Sequence, residues 1–512
     1  MRSLVLKQAM AICAVSAAAI GATAATGATA EAASSTLAPL HQVNGQKIDG
    51  AYIVVLKNST DGGVVAQRHG VAAQRVFSHA LHGFAARLST TQLAHIRQDS
   101  SVAYVEPDSV VTANAKPTPP SSGAAPGTST SRRADNGPVS GNSVETGATW
   151  GLDRVDQPYR PLNGLYRYTS TGSGVTAYII DTGIYTAHSD FGGRASGGFT
   201  AISDGRGSND CHGHGTHVAG TVGGTRYGVA KGVRLVAVRV LDCAGNGSLS
   251  GVISGIDWVT YVHTGPSVAN MSLGGGYSAA LNDAVTNSIA SGVTYSVAAG
   301  NSGDNACNYS PASTPGALTV AATDSTDTKP VWSDFGSCVD VFAPGVSITS
   351  DWIGSTTATN TISGTSMATP HVTGLAALYL QDAPYSTPAT VNRVITTDAV
   401  TGVVSNPAGS PNRLARKWNS SLSGTGATSY EPDGAYWYQN AGYIQAWLQG
   451  SSGTDTDLYL QQWNGSTWIN VASSISITPQ ERIVYNGTAG YYRAEAYAYS
   501  GGGTYDIWVT HP

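Results

Sequence analysis

The feature that most constrains the fold is an alternation of short apolar runs with helical patterns across residues 143–420. The runs at 175–180, 235–240 and 293–297 are rich in β-branched residues, which is typical of buried strands. Segments with helical spacing lie between such runs, at 250–263 and 281–291. This alternation predicts an α/β fold with a mostly parallel sheet and helices on both faces. Ligand sites in such sheets lie beyond the carboxyl ends of the strands.

Further units flank this alternation, as expected for a chain of 512 residues. Residues 48–112 show strand, helix, strand, strand, helix and strand patterns in that order, a ferredoxin-like α+β plan. Residues 113–142 are dominated by Pro, Ser, Gly, Ala and Thr and are predicted to be a linker. After a second Ser- and Gly-rich stretch at 419–428, residues 429–512 have short strands with turn signals, which predict a small β-sandwich.

Residues 1–32 are predicted to be a signal peptide. Arg2 and Lys7 form a short positive region, which is followed by an apolar, alanine-rich run at 9–25. Small residues at 28–32 offer cleavage sites. A membrane anchor is the alternative, but Thr and Gly interrupt the run and it is short for a span. We therefore expect a secreted, extracellular protein with no membrane partner. The net charge of −5, without long charge runs, also indicates no nucleic-acid partner.

Four cysteines lie outside this predicted signal: Cys211, Cys243, Cys307 and Cys338. An even number in an exported chain indicates two disulfides. Metal ligation is the alternative, but no Cys-x-x-Cys spacing occurs. Four cysteines allow three pairings, and these considerations leave the pairing open.

Three polar residues stand at the ends of predicted elements. Asp181 ends a strand before Thr182-Gly183, His214 lies in a glycine-flanked entry to a helix, and Ser366 opens another helix. A serine hydroxyl becomes a good nucleophile when a neutral imidazole takes its proton, and a buried carboxylate holds that imidazole in place. A helix start also places N–H groups beside a developing oxyanion. Together these residues predict acyl transfer.

Asn301 is a candidate for a second donor to the oxyanion. It follows the strand run at 293–297, and an amide in such a position is worth roughly 3–4 kcal/mol. Each feature alone has a plainer explanation, because Asp-Thr-Gly is common and His-Gly-Thr-His could be a metal pair or two core histidines. The chain order Asp181, His214, Asn301, Ser366 is what makes the combination specific.

In this order the residues resemble the subtilisin-like serine proteases (subtilases), and the likeness covers residues 148–415. The stretches most similar to the proteinase K and aqualysin branch are Trp150-Gly-Leu-Asp-Arg154, Val240-Leu-Asp242, Ala269-Asn-Met-Ser-Leu-Gly-Gly275, Asn308-Tyr-Ser-Pro-Ala312 and Thr365-Ser-Met-Ala-Thr-Pro-His371. The resemblance implies a monomeric serine endopeptidase that cleaves proteins and peptides without a catalytic cofactor. Its triad would be Asp181, His214 and Ser366, with Asn301 at the oxyanion.

The same resemblance implies a substrate cleft. One edge would pair with the substrate backbone by strand addition, at Gly245, Gly247 and Leu249. Two stretches would line the pocket for P1, the substrate residue before the scissile bond: Ser272, Leu273, Gly274, Ala298, Ala299 and Gly300. These stretches contain small and apolar residues and no acidic group. We therefore expect broad specificity with a preference for neutral aliphatic or aromatic P1 residues.

For the cysteines, the resemblance implies the pairs Cys211–Cys243 and Cys307–Cys338. It also implies structural calcium, since oxygen-only ligands suit this cation. One implied ligand set is the carbonyls of Pro315 and Ala317 with the Asp340 carboxylate. The second is Asp153, Asp156 and Gln157. Solvated surface carboxylates are the alternative for both sets.

Three further histidines lie near the motifs. His212 stands where the family usually has a small or amide residue, so its role is open between none and tuning of the site. His217 and His371 lie inside predicted helices and are expected to pack or to support the catalytic groups.

The flanking units resemble known companions of subtilases. The 48–112 unit resembles the inhibitor-type propeptide, which implies an autoprocessed zymogen blocked by its own propeptide and a mature N-terminus between Ala113 and Thr149. The 429–512 unit resembles the bacterial pre-peptidase C-terminal domain. It is either a substrate- or surface-binding module or a domain trimmed during maturation, and the second interpretation is slightly favoured.

Two other functions compete with proteolysis. A catalytically silent subtilase could act as a binding protein, but all four chemical positions are intact. A serine esterase of the α/β-hydrolase type needs Gly-x-Ser-x-Gly, whereas Ala368 replaces the last glycine and the triad order differs. The sequence does not indicate the natural substrate.

Overall fold

The middle of the chain is built on one large sheet in the computed structural model, which describes residues 37–57, 60–113, 143–432 and 434–512. The predicted signal peptide and nearly all of the 113–142 linker lie outside the described residues. The sheet has nine strands in the order β19-β20-β16-β15-β13-β11-β7-β9-β8, and all pairs but β19–β20 are parallel. Its elements are β7 (Thr176–Asp181), β8 (Ala195–Thr200), β9 (Arg234–Arg239), β11 (Ser267–Met271), β13 (Thr294–Ala298), β15 (Leu318–Thr323), β16 (Val341–Pro344), β19 (Val400–Thr401) and β20 (Arg413–Leu414).

Helices cover both faces of this sheet, because alternate residues of each strand point to opposite sides. Ile179 of β7 lies in the core with the helices α4 and α7, whereas Ile180 lies in the core with α5 and α6. The helices are α3 (Trp150–Val155), α4 (His214–Gly223), α5 (Leu249–Val262), α6 (Ala279–Ala290), α7 (Thr365–Asp382) and α8 (Pro388–Thr397). The predicted fold class is confirmed.

Short strands outside the large sheet complete this region. Two of them, β10 and β12, border the carboxyl-end side of the sheet and are important for the site. The strands are β5 (Ser143–Thr146), β6 (Leu165–Tyr168), β10 (Asn246–Ser248), β12 (Leu273–Gly276), β14 (Tyr309–Ser310), β17 (Ile348–Asp351) and β18 (Thr359–Ile362).

The N-terminal unit has the predicted βαββαβ order. Its elements are β1 (Lys47–Leu56), α1 (Gly62–Arg68), β2 (Arg75–Phe77), β3 (Gly83–Arg87), α2 (Thr90–Ile96) and β4 (Val102–Ala113). One face of this antiparallel sheet packs on its own two helices, around Val54, Phe84 and Ile96. The other face, with Ile53, Val55 and Phe77, joins the core formed by α5 and α6. The unit therefore sits directly on the large α/β region.

The C-terminal residues form two antiparallel sheets with a shared apolar core, as predicted for a β-sandwich. One sheet has the order β21-β29-β24-β27; the other has β22-β28-β25-β26, with β23 also paired to β28. The strands are β21 (Trp418–Leu422), β22 (Thr428–Glu431), β23 (Trp437–Gln439), β24 (Gly442–Gly450), β25 (Asp455–Trp463), β26 (Trp468–Ser474), β27 (Gln480–Gly487), β28 (Gly490–Ser500) and β29 (Gly503–Thr510).

The sandwich is joined to the α/β region through a buried polar and aromatic contact. Trp447 and Trp508 pack edge-on against Tyr379 of α7, with ring centroids 5.4 and 5.6 Å apart. Lys417 Nζ lies 2.9 Å from Asp506 Oδ1 and 3.7 Å from Asp156 Oδ1, and its side chain is fully buried. Residues 37–512 accordingly form a single compact unit.

Candidate active site

Asp181 and His214 meet where β7 ends and α4 begins. Asp181 Oδ1 accepts hydrogen bonds from His214 Nδ1 and from the Thr182 N–H, both at 2.7 Å. Thr182 Oγ1 in turn accepts from the Gly215 N–H at 2.8 Å, which ties the helix start to the strand end. A Cβ at Gly215 would lie 2.2 Å from the Gly183 carbonyl oxygen, so only glycine allows this close approach.

A second aspartate, Asp210, shapes the loop that leads into α4. Its Oδ1 accepts from the N–H groups of His212 and Gly213, and its Oδ2 accepts from the N–H and hydroxyl of Thr216. Sequence reasoning missed this positioning residue. Its only signal is that an aspartate two residues before a glycine-rich helix entry is a common cap for backbone N–H groups.

The charge on Asp181 sets the basicity of His214. Burial on its own lowers the pKa of this histidine, but the Asp181 carboxylate and its hydrogen bond outweigh burial and raise the pKa above its usual value. A group that must take a proton from serine benefits from this shift, because the imidazolium form is stabilised.

Ser366 lies at the second position of α7, where its backbone carbonyl and its hydroxyl both form hydrogen bonds with Ser272. Pro370 has no N–H, so it cannot donate to the carbonyl of Ser366 four residues earlier. That carbonyl accepts from Ser272 Oγ instead, at 2.8 Å, while Ser366 Oγ donates to the Ser272 carbonyl at 3.0 Å. His214 Nε2 has no hydrogen-bond partner among the described residues.

Asn301 is oriented by the residue that precedes the serine. Its Oδ1 accepts from the N–H of Thr365 at 2.9 Å and from the Thr365 hydroxyl at 3.0 Å. With the carbonyl held there, the amide NH2 is directed away from Thr365. The structure therefore brings Asn301 to the start of α7, beside Ser366.

The predicted substrate cleft is filled by strand β4 of the N-terminal unit. On one side, Asn246, Gly247 and Ser248 of β10 pair with residues 110–112, and the Gly245 carbonyl accepts from the Ala113 N–H at 2.9 Å. On the other side, Leu273 and Gly274 of β12 pair with Ala113 and Thr112. Both edges named from the sequence thus bind one extended chain in antiparallel fashion.

Beyond this strand lies a cavity of about 640 Å³ next to Asn301. The predicted pocket residues Gly274, Ala298, Ala299 and Gly300 line it, and so do two acidic residues that sequence reasoning did not place there, Asp304 and Asp334. Asp334 comes from a loop 34 residues after Gly300 in the sequence. The sequence near the predicted pocket residues therefore contains no indication that Asp334 lines this cavity.

The other histidines form hydrogen bonds with backbone groups. His217 Nε2 lies 3.0 Å from the Ile348 carbonyl oxygen, and His371 Nδ1 lies 2.9 Å from that of Met367. Burial lowers the pKa of His217 to about 3 and that of His371 to about 4, so both are neutral packing residues. His212 accepts a hydrogen bond from the His214 N–H through Nδ1 at 3.3 Å, which supports the helix start.

Both expected disulfides are present, Cys211–Cys243 and Cys307–Cys338. The first joins the loop before His214 to the loop before β10. It therefore connects the loop before His214, the predicted base, to one edge of the predicted cleft.

The two implied calcium sets have different surroundings. Asp340 directly precedes β16 and faces the start of β15, where Oδ2 accepts from the Thr319 N–H at 2.8 Å. Burial raises the pKa of Asp340 to about 6. A bound cation beside the turn at Pro315 and Ala317 would favour the charged carboxylate, so this set fits calcium.

The second set already has partners for most of its polar atoms, although Gln157 Oε1 is buried with no hydrogen-bond donor among the described residues. Asp153 accepts from the N–H groups of Asn163 and Gly164, and Asp156 Oδ2 accepts from that of Arg167. The Lys417 ammonium, 3.7 Å from Asp156, already supplies a buried positive charge there. Gln157 turns its NH2 group to the carbonyls of Tyr159 and Pro161. A divalent cation bound beside Asp156 would be repelled by the positive charge of Lys417.

Comparison with known proteins agrees with this geometry. Residues 172–426 match the Subtilase family, and residues 51–114 match Peptidase inhibitor I9. The chain is 48% identical over 410 residues to an extracellular serine proteinase of Thermus sp. (strain Rt41A), covering 75% of this chain and 93% of that protein. It is 42% identical over 390 residues to alkaline serine protease ver112 of Corniculantispora psalliotae, covering 75% and 94%.

A solved structure of a cold adapted subtilisin-like serine proteinase is also similar, with 52% identity and a TM-score of 0.52 over 53% of this chain and 98% of that one. The fold and the site together define a serine hydrolase built on a parallel α/β sheet. The chain belongs to the subtilase family, with an inhibitor-type propeptide before the catalytic region, and is a serine endopeptidase.

Proposed function

We propose that this chain is a secreted, monomeric endopeptidase of broad specificity that is made as a zymogen and cuts its own propeptide. The observation that supports this most is the pairing of β4 with both β10 and β12 beside Ser366. An extended chain bound on both sides is how a protease holds a peptide by strand addition. The family relationship and the extracellular Thermus relative support export and proteolysis.

In the proposed mechanism, Ser366 Oγ leaves the Ser272 carbonyl and attacks the scissile carbonyl carbon, while its proton passes to His214 Nε2. Asp181 holds the Nδ1–H and stabilises the imidazolium. The Asn301 amide and the N–H groups at the start of α7 donate to the oxyanion. The imidazolium then gives its proton to the leaving amine, and water hydrolyses the acyl-enzyme with the same base.

For substrates, the small residues Gly274, Ala298 and Ala299 that line the cavity support a preference for neutral P1 side chains, including aliphatic and aromatic ones. On the opposite edge, Gly245 and Gly247 bind the backbone of β4 and contact few of its side chains, whereas Leu249 is packed in the core at the start of α5. Natural substrates are therefore unfolded or loosely folded segments of many proteins.

The strand register also indicates where the propeptide is cut. Ala113 pairs with Leu273, and Ser272, the next residue along that edge, contacts Ser366. In the sequence, Asn114 and Ala115 follow Ala113 directly. We therefore propose cleavage between Asn114 and Ala115, within the range 113–149 expected from the sequence.

Replacing the nucleophile tests this proposal. Ser366→Ala should abolish casein hydrolysis, since a triad serine is worth on the order of a million-fold in comparable sites. It should also leave the propeptide attached, whereas the parent should start at Ala115 in N-terminal sequencing. Equal casein hydrolysis by both proteins would refute the mechanism. An intact, inactive parent would favour the silent binding protein, and ester turnover without amide turnover would favour the esterase.

We also propose that a structural calcium ion binds at Pro315, Ala317 and Asp340. Chelation should lower the melting temperature of the purified protein, by an amount equivalent to about 3 kcal/mol when calcium is a hundredfold above its dissociation constant. Asp340→Asn should melt lower without chelator and respond little to its addition. A full chelator response in Asp340→Asn would place the ion elsewhere.

A further inference from the structure

Asn270 is a polar residue on β11, an inner strand of the large sheet, and its side chain is completely buried. Its amide lies between two hydroxyl groups that are also buried. Oδ1 accepts from the Thr373 hydroxyl of α7 at 2.9 Å, and Nδ2 donates to Ser272 Oγ at 2.8 Å. Because an unpaired polar group in the core is costly, these two bonds fix the orientation of the amide.

The orientation of this amide determines where the Ser272 proton points. A serine hydroxyl has a single proton to donate. Since Asn270 Nδ2 already donates to Ser272 Oγ, that proton is left for the Ser366 carbonyl, which accepts it at 2.8 Å. The hydrogen bonds therefore run in one direction, from Thr373 in the middle of α7 back to Ser366 at its start.

This network replaces a helix hydrogen bond that α7 lacks. Pro370 has no N–H, so the helix itself does not supply the usual donor to the Ser366 carbonyl. The same turn carries the Ser366 hydroxyl and the N–H groups that the proposed mechanism directs at the oxyanion. Asn270, Ser272 and Thr373 are all completely buried, so water does not compete with them for these bonds. The position of the first turn of α7 thus depends on side chains that come from β11 and from the residue after it.

We propose that Asn270 is a positioning residue for catalysis: its amide directs the Ser272 hydroxyl to the Ser366 carbonyl and so fixes the turn that carries the nucleophile. This inference rests on the proposed mechanism, in which Ser366 attacks the scissile carbonyl, and adds a residue that acts through Ser272. A displaced nucleophile slows the chemical step more than it weakens substrate binding. Loss of the Asn270 donor should therefore lower kcat much more than it raises KM.

The substitution Asn270→Asp tests the direction of the network. An ionised carboxylate has no proton to donate, so it accepts from the hydroxyls of Ser272 and Thr373 alike. The Ser272 proton then turns to the carboxylate, and the Ser366 carbonyl loses its donor. Assays in alkaline buffer favour the ionised form of the new side chain.

Asn282→Asp is the matched control. Asn282 lies on α6, is also buried, and bridges two hydroxyls in the same way: its Oδ1 accepts from Thr314 at 2.8 Å and its Nδ2 donates to Ser313 at 3.0 Å. The same chemical change is therefore made outside the network that leads to Ser366. Parent and variants would be compared on one peptide substrate, with active sites counted by a fluorophosphonate that labels the serine.

The expected result is that kcat per active site falls about 10- to 100-fold in Asn270→Asp, with KM close to the parent value. Asn282→Asp should melt at a lower temperature than the parent but keep its kcat. Thr373→Val is the milder second variant if Asn270→Asp does not fold. It frees the amide oxygen and should lower kcat about 5-fold, as expected for the loss of one buried hydrogen bond.

A double variant distinguishes positioning from general damage. Without the Ser272 hydroxyl there is no proton to redirect, so Asn270→Asp combined with Ser272→Ala should lose no more kcat than Ser272→Ala alone. Losses that multiply would overturn the proposal, and so would equal losses of kcat in Asn270→Asp and Asn282→Asp. Parent-like kcat in both Asn270→Asp and Thr373→Val would overturn it as well. Parent-like activity of Ser366→Ala would instead refute the proposed mechanism itself.

Discussion

Asp181 and Asp351 are both fully buried carboxylates, yet their surroundings differ. Asp181 accepts hydrogen bonds from His214 and Thr182. Asp351 has no hydrogen-bond donor among the described residues for either oxygen, although His188 Nδ1 approaches to 3.4 Å. Burial raises the pKa of Asp351 to about 9, and the neighbouring Asp190 carboxylate contributes to the rise. Burial and the Asp190 carboxylate therefore both favour the protonated form of Asp351.

The raised pKa of Asp351 predicts a loss of stability in alkali. An acid whose pKa is higher in the folded than in the unfolded state contributes stability at low pH, and loses it as the pH rises through the folded value. The melting temperature of the parent should therefore fall by several degrees relative to Asp351→Asn between pH 6 and pH 10, measured by calorimetry in matched buffers. Asp324→Asn serves as a control, and parallel curves for all three proteins would contradict the assignment.

At the scale of elements, β4 does more than fill the cleft. Glu106 accepts from the Ser278 hydroxyl and from the N–H groups of Ala279 and Ala280 at the start of α6. Asp108 accepts from the N–H and hydroxyl of Ser250 at the start of α5. Each carboxylate thus meets the positive end of a helix, where unsatisfied N–H groups and the helix dipole favour an anion.

Loss of these contacts should loosen the propeptide. In the uncleaved Ser366→Ala protein, Glu106→Gln should lower stability by about 1–3 kcal/mol, because buried donors lose a charged acceptor. The difference would be measured as a shift in denaturant midpoint. Asp49→Asn, in the solvent-exposed part of β1, is the control. The mature forms made without Ser366→Ala should have equal stability, and a difference between them would show an effect outside the propeptide contact.

The sequence predicted these elements to within a few residues, since helical spacing and β-branched runs are local signals. Strand β4 is the exception: it was expected over 102–111 but continues to Ala113. Its last residues are extended because β10 and β12 bind them, and no local pattern indicates that. Asp181, His214, Ser366 and Asn301 were predicted as site residues because each lies in its own glycine-containing motif. Asp334 and Glu106 act through partners that only the fold brings close, whereas the partners of Asp210 lie within six residues of it.

At the scale of the whole molecule, the C-terminal sandwich is part of the folded catalytic region. Lys417 lies between Asp506 of the sandwich and Asp156 of the α/β region, over the ring of Tyr166. Asp506 Oδ2 also accepts from the N–H groups of Thr169 and Ser170. A buried lysine beside Asp156 therefore joins the two regions. The described part of the chain has no helix long and apolar enough to span a bilayer.

Removing this lysine should destabilise the enzyme strongly. Lys417→Met leaves two buried carboxylates without their cation, which typically costs about 3–5 kcal/mol. The melting temperature should drop by about 10 °C, and Asp506→Asn added to Lys417→Met should recover part of the loss. Arg234→Met, which removes an exposed cation at the start of β9, should have little effect. Equal melting of Lys417→Met and the parent would contradict this role.

The pairing of β4 with both edges of the cleft also determines the kinetics of activation. On the proposed function, the first substrate is tethered to its own enzyme, so the first cut is expected to be unimolecular and diluting the protein should not slow it. The cleaved strand keeps its ladder of backbone hydrogen bonds, so it remains as a bound product. Active enzyme therefore accumulates only as fast as this product dissociates or is destroyed by a molecule that is already free.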